Sequence, residues 1–148
     1  MGKKLIVYTD GASRGNPGPS ASGYIIYKEG KLIREYTEYN GINTNNYSEY
    51  KAILLALEWC YKNQSNANEA EIELFSDSKL VVSQLNSLYK IRAHELRILS
   101  SKAKELEKNF KKVSIVNKPR NYKGIKLVDR ALNRLLDSST LSSPQSVL

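Results

Sequence analysis

The sequence predicts an α/β fold: one five-stranded mixed sheet, three antiparallel strands and then parallel ones, with helices on both faces. Three β-forming segments follow one another through short links in the first 40 residues, the pattern of an antiparallel meander. Two later apolar segments are each reached through helical stretches, and such crossovers make them parallel neighbours of the first strand. At 148 residues with 41% hydrophobic content, the chain suits a single domain with a sizeable core.

Taken in order, residues 3–9 form the first strand on Leu5, Ile6 and Val7, and Gly11, Gly15, Pro17, Gly18 and Pro19 stop it after Asp10. Residues 22–28 form the second, and Glu29-Gly30 is a two-residue hairpin signal before the third at 31–38. Asn40-Gly41 and the polar run 43–46 are turn chemistry, with Thr44 or Asn45 as N-cap of a helix running to Lys62. Tyr50, Ile53, Leu54, Leu57 and Tyr61 recur at spacings of three and four and mark its buried stripe. After a polar loop at 63–68, Ile72, Leu74 and Phe75 make a fourth strand that stops at residues 76–78. Helices follow at 79–85 and 92–110, a fifth strand at 113–116, a basic loop at 119–123 and a last helix at 126–137. The Ser-rich segment 138–148 is expected to be a disordered tail, leaving residues 1–137 as the domain.

No apolar run approaches the roughly 20 residues that span a bilayer, so no membrane partner is expected. The N-terminus leads straight into a strand and offers no export signal. Gly2 is followed by Ile6 where a myristoylation motif needs Ser or Thr. The single cysteine, Cys60, excludes an internal disulfide, suits a reducing cytoplasm and reads as a core residue. Charge is divided unevenly. Residues 1–78 hold 8 Lys/Arg against 10 Asp/Glu, a net −2, whereas residues 79–148 hold 15 against 5, a net +10. Such asymmetry is the footprint of a phosphate-backbone partner, set against the plainer reading of a solvated basic surface.

The acidic residues carry the chemistry. Parallel pairing of the first and fourth strands brings Asp10 and Asp77 side by side at their C-terminal ends. Glu49 lies in the opening turn of the first long helix and Asp129 near the start of the last, where helix N-termini favour carboxylates. Singly, each acid could be a cap, a turn residue or a solvated charge. Drawn together, four carboxylates would repel unless cations neutralise them. An oxygen-only set selects Mg²⁺, with Mn²⁺ as substitute. Two such ions about 4 Å apart form a clamp for in-line phosphoryl displacement.

Residues 8–19 (Tyr-Thr-Asp-Gly-Ala-Ser-Arg-Gly-Asn-Pro-Gly-Pro), Thr44-Asn45-Asn46-Tyr47-Ser48-Glu49-Tyr50, Phe75-Ser76-Asp77-Ser78 and Val128-Asp129-Arg130-Ala131-Leu132-Asn133 resemble, in order, the four signatures of type 1 ribonuclease H. The similarity covers about residues 3–136. It implies a ribonuclease H-like fold and a monomeric endonuclease that cuts the RNA strand of RNA/DNA hybrids, leaving 5′-phosphate and 3′-hydroxyl ends. Activity on RNA/RNA duplexes is left open. Asp10, Glu49, Asp77 and Asp129 match the catalytic, metal-binding acids, which hold two ions when substrate is bound. Asp10 and Asp77 would hold the metals, Glu49 one metal and the 2′-hydroxyl side, and Asp129 the more loosely held ion. Gly11, Ser13 and Asn16 match the loop that meets RNA 2′-hydroxyls, where small residues let backbones approach. Thr44 matches a DNA-phosphate contact, and Asn45 and Asn46 match residues at the DNA side or the hybrid groove. Ser78 follows the third acid and is a further substrate candidate.

The chain departs from that pattern in two places. The loop Asn117-Lys118-Pro119-Arg120-Asn121-Tyr122-Lys123-Gly124 holds no histidine where many relatives carry one. Arg120 resembles the arginine of other relatives and could bind phosphate, but it is no general base near neutral pH. The sole histidine, His94, reads as a helix-surface residue. The Trp-bearing basic protrusion of some relatives is missing too, and the lone Trp59 falls within the first long helix. Lys90, Arg92, Arg97, Lys102, Lys104, Lys108, Lys111 and Lys112 are expected to replace part of that substrate handle.

The rival readings are a duplex-binding module without turnover and a two-carboxylate sugar hydrolase. An intact acidic quartet disfavours the first; the basic second half and the lack of aromatic platforms disfavour the second. The glycine loop lacks the Gly-Lys-Ser/Thr ending of a P-loop.

Overall fold

Side chains that alternate along the first strand sort the whole molecule into layers. The structure, a computed structural model, describes residues 4–147, with side chains described for 4–138. β1 (Lys4–Ser13), β2 (Gly18–Lys28) and β3 (Lys31–Asn43) form the meander, and α1 (Asn45–Asn63) follows. β4 (Glu71–Ser76), α2 (Lys79–Leu85), α3 (His94–Glu107), β5 (Lys112–Asn117) and α4 (Lys123–Val147) complete the chain. Strand order is β3-β2-β1-β4-β5, with β1 antiparallel to β2 and parallel to β4, and β4 parallel to β5. The predicted mixed sheet is therefore the observed one.

Leu5 and Val7 of β1, Tyr24 and Ile26 of β2 and Ile72 and Leu74 of β4 bury their side chains against α1, α2 and α3. The opposite face carries Ala21 and Ile25, which pack on Val128, Leu132 and Leu136 of α4. The β2–β3 hairpin turns on Glu29 (φ 54°) and Gly30 (φ 76°), the pair of left-handed residues that a two-residue primed turn requires.

Several boundaries differ from the sequence expectation. β1 does not stop at Asp10 but continues to Ser13, because its backbone stays paired with β2 from Asp10↔Gly23 to Ser13↔Ser20. Its pairing with β4 ends at Tyr8↔Phe75, so Asp10 lies just beyond a fork, past which β1 keeps only its antiparallel neighbour. β3 runs on past Asn40-Gly41 to Asn43, since a bulge there takes up the irregularity. In α1 the stripe ends on Cys60, fully buried with its thiol pKa pushed up to about 12 by desolvation. Tyr61, expected in that stripe, is exposed. The helical backbone of α4 continues past 137. The tail expected at 138–148 falls almost wholly on residues whose side chains lie outside those described, and Leu148 is outside them altogether. No helix among the described residues is long and apolar enough to cross a membrane.

Candidate active site

The fork in the sheet sets the first acid. Asp10 projects where β1 has left β4, and Asp77 follows directly on the last residue of β4. Glu49 comes from the first turns of α1, which Thr44 caps by accepting the Tyr47 N–H at 3.1 Å. One carboxylate oxygen from each of Asp10, Glu49 and Asp77 lies within 4.8 Å of the others. Asp129, on α4, faces this trio closely enough to raise the Asp10 pKa by charge repulsion, but it does not join the 4.8 Å group.

The trio is seated by Gly11. Its N–H donates to Glu49 Oε1 at 2.8 Å and to Asp10 Oδ1 at 3.0 Å. A Cβ at this position would lie 2.4 Å from both the Ser48 carbonyl carbon and the Glu49 nitrogen. Glycine is required here because α1 presses its backbone onto β1. The lack of a side chain therefore serves a contact inside the protein, a reason for glycine that the sequence expectation of an approaching RNA backbone did not supply; Gly11 is buried.

Burial and mutual repulsion make the cluster expensive without cations. Asp10 is 3% exposed and its pKa is pushed up to about 8, chiefly by desolvation and then by Asp77 and Asp129, with the Gly11 N–H and Arg120 opposing. Glu49, also buried, is held well above the usual carboxylate range by desolvation, by Asp10 and Asp77, and by a hydrogen bond with Asp77. Carboxyls this close cannot all ionise unless positive charge enters. The donor set is all oxygen, so the residues present fit a hard divalent cation.

Around the acids, the expected substrate residues gather on two sides. Asn16 Oδ1 accepts the Asn45 N–H at 2.9 Å, and the single Ser13 hydroxyl proton is shared between the carbonyls of Gly15 and of Asn43, the latter at 3.1 Å. The glycine loop and the start of α1, with Thr44, Asn45 and Asn46, thus form one continuous surface. Ser78 stands apart, capping α2 by accepting the Val81 N–H at 3.3 Å. Arg120 is exposed on the far side, 3.6 Å from Asp129. His94 opens α3 and is exposed.

Some supports had no signal in the sequence. Tyr122 packs its ring at 5.6 Å from Phe75 and 6.0 Å from Tyr8, and Asn117 Nδ2 donates to the Ser76 carbonyl at 3.1 Å. These contacts anchor both ends of the Arg120 loop. Arg14 reaches α4, pairing with Asp137 at 2.5 Å and donating to the Asn133 carbonyl at 3.3 Å. Long-range partners such as these are invisible to local spacing.

A β3-β2-β1-β4-β5 sheet with carboxylates converging from β1, β4 and α1, and with a fourth acid on α4, defines an α/β domain of the ribonuclease H-like class. A family model described as RNase H matches residues 2–127. Ribonuclease HI of Halobacterium salinarum is 36% identical over 135 residues, which are 89% of this chain and 66% of that protein. A bifunctional protein of Mycobacterium tuberculosis is 30% identical over 142 residues, 95% of this chain and 37% of its own length. The chain thus spans two thirds or less of these curated relatives. Among solved structures, RNase H1 of Halobacterium salinarum superposes with a TM-score of 0.82 at 35% identity, covering 91% of this chain and 98% of the other. LC11-RNase H1 in complex with an RNA/DNA hybrid superposes with a TM-score of 0.84 at 32% identity, covering 92% and 99%. The chain belongs to the RNase H family.

Proposed function

We propose that this chain is an endonuclease that hydrolyses the RNA strand of RNA/DNA hybrids, with Asp10, Glu49, Asp77 and Asp129 as its catalytic acids. The observation that carries the reading is the buried, oxygen-only convergence of Asp10, Glu49 and Asp77 opposite Asp129. That LC11-RNase H1 is known in complex with an RNA/DNA hybrid supports the substrate class.

Asp10, Glu49 and Asp77 would hold one Mg²⁺, and Asp10 with Asp129 a second; Mn²⁺ could substitute. When bound, such ions supply activation of water and stabilisation of the leaving oxygen in an in-line displacement. Hydrolysis joins a water oxygen to phosphorus and breaks the bond to the 3′ oxygen, which takes up a proton. The ends are then a 5′-phosphate and a 3′-hydroxyl. The Gly11 N–H fixes the orientation of Asp10 and Glu49 before substrate arrives, so little reorganisation remains for the reaction itself.

The surface formed by Ser13, Asn16, Thr44, Asn45 and Asn46 would lie along the hybrid minor groove, where 2′-hydroxyls distinguish RNA from DNA. Ser78 and Arg120 would meet phosphates on either side of the acids. Arg120 also offers its charge to Asp129, in the place where many relatives have a histidine. Residues 1–137 would make up the catalytic unit. The test is to incubate end-labelled RNA/DNA, RNA/RNA and DNA/DNA duplexes with Mg²⁺, Mn²⁺ or chelator and map the cuts. Internal cuts in RNA of the hybrid, ending in 5′-phosphate, are expected. Tight hybrid binding without any cut would leave a binding module instead.

A further inference from the structure

The seat of Glu49 is built from three strands. From β1, Gly11 abuts the Ser48–Glu49 backbone. From β2, the fully buried Ser22 donates its hydroxyl to the Ser48 carbonyl at 2.7 Å. From β3, Asn40 Nδ2 donates to Ser22 Oγ at 2.8 Å and, at 3.5 Å, to Ser48 Oγ. Ser48, also fully buried, donates its hydroxyl to the Thr44 carbonyl at 3.2 Å, tying the network to the helix cap.

Asn40 reaches this spot because of an irregularity. Ser20 pairs with Gly41 and Ala21 with Tyr39, so Asn40 is the bulge residue without a partner across the ladder. Bulges re-aim side chains, and this one turns an amide onto the start of α1. The amide's orientation follows from proton accounting. Ser22 already spends its single proton on the Ser48 carbonyl, so only the Nδ2 end of Asn40 can bond to Ser22 Oγ. Asn40 Oδ1 is left buried with no hydrogen-bond partner among the described residues. A buried acceptor without a donor works against stability, so what the amide contributes here rests on the two bonds its Nδ2 makes to Ser22 and Ser48, at the seat of Glu49.

We propose that Asn40, acting through Ser22 and Ser48, is a positioning residue that fixes the Glu49 carboxylate for divalent-metal binding. The inference rests on the reading of Asp10, Glu49 and Asp77 as metal ligands. It assigns to the β3 bulge a task in the site rather than in the sheet.

The test compares full-length Asn40→Leu and Ser22→Ala with Ser20→Ala. Ser20 is a matched control: it is as buried as Ser22 and donates to the Gly41 carbonyl at 3.2 Å at the same bulge. Mg²⁺ binding is measured by calorimetry on the protein alone, with melting in chelator and in Mg²⁺ alongside and hybrid-cleavage kinetics as a separate readout. Asn40→Leu and Ser22→Ala are expected to weaken Mg²⁺ binding about 10-fold and lower kcat by a similar factor, with KM for the hybrid unchanged. Ser20→Ala is expected to bind Mg²⁺ as the wild type does, even where its melting temperature in chelator falls. Wild-type Mg²⁺ affinity in both test variants, whatever their melting temperatures, overturns the proposal, as does the absence of Mg²⁺ binding by the wild-type chain. A wild-type chain that binds Mg²⁺ but cuts no duplex refutes the proposed nuclease activity, while calorimetry still decides the role of Asn40.

Discussion

Replacing Asp10 by Asn separates two demands made on one side chain. The variant keeps the shape and the Oδ1 that accepts the Gly11 N–H at 3.0 Å, and removes only the charge. In the metal-free protein that charge is a burden, because the carboxyl takes up its proton near pH 8 rather than at the usual 3.8. A folded-state value raised above the unfolded one contributes stability below pH 3.8 that is lost as pH climbs through about 8. About four powers of ten in proton affinity at about 1.4 kcal/mol each set a ceiling of about 6 kcal/mol. Because the neighbouring acids share protons, a gain of about 1–3 kcal/mol for Asp10→Asn at pH 8 is the working figure. For a domain of this size that corresponds to about 3–10 °C in melting temperature. The assay is thermal unfolding in chelator from pH 5 to pH 8.5, repeated with Mg²⁺. Asp10→Asn should melt higher than wild type in chelator, by a margin that grows with pH, and Mg²⁺ should close the gap by stabilising wild type alone. The same variant should lose hybrid cleavage. A variant that melts lower than wild type at pH 8 without metal, or a margin that shrinks as pH rises, refutes this electrostatic account.

The other perturbations act on the supports of the site. Gly11→Ala drives a methyl into the Ser48–Glu49 backbone and should cost about 2–4 kcal/mol in denaturant unfolding, with most of the cleavage activity lost as α1 lifts off β1. Thr44→Ala removes the α1 cap and should cost about 1 kcal/mol by the same measurement, with KM for the hybrid rising more than kcat falls. Combined alanine substitution of Lys90, Arg92, Arg97 and Lys102 should weaken hybrid binding and flatten the slope of log affinity against log salt. An unchanged slope would remove these residues from the binding surface.

The order of strands was legible because a meander and two crossovers leave few ways to arrange five strands. Strand ends were not: β1 passes Gly11 and β3 passes Asn40-Gly41 because of pairing with β2, a partner that local composition does not reveal. In α1, helical spacing admits both Cys60 and Tyr61 to the apolar face, and only the packing of α3 and the sheet selects Cys60. The four acids stood out from motif and topology together: Asp10 just past the fork in the sheet, Asp77 just past β4, Glu49 in the first turns of α1 and Asp129 in the second turn of α4. Asn40 read as turn chemistry, Ser22 as the start of a strand and Ser48 as one position in a motif, and their shared task appears only when three strands meet one helix.

The loop from Lys118 to Tyr122 is fastened at both ends, by the Lys118 N–H on the Ser76 carbonyl at 2.9 Å and by Tyr122 lodged against Phe75 and Tyr8. Its exposed tip of Pro119, Arg120 and Asn121 carries no such fastening to the sheet. The backbone on either side is therefore held independently of the tip, while the tip's charge still reaches the acids, Arg120 lying 3.6 Å from Asp129. A substitution at position 120 would thus change the charge beside Asp129 while Asp77 and Asp129 stay registered to the scaffold.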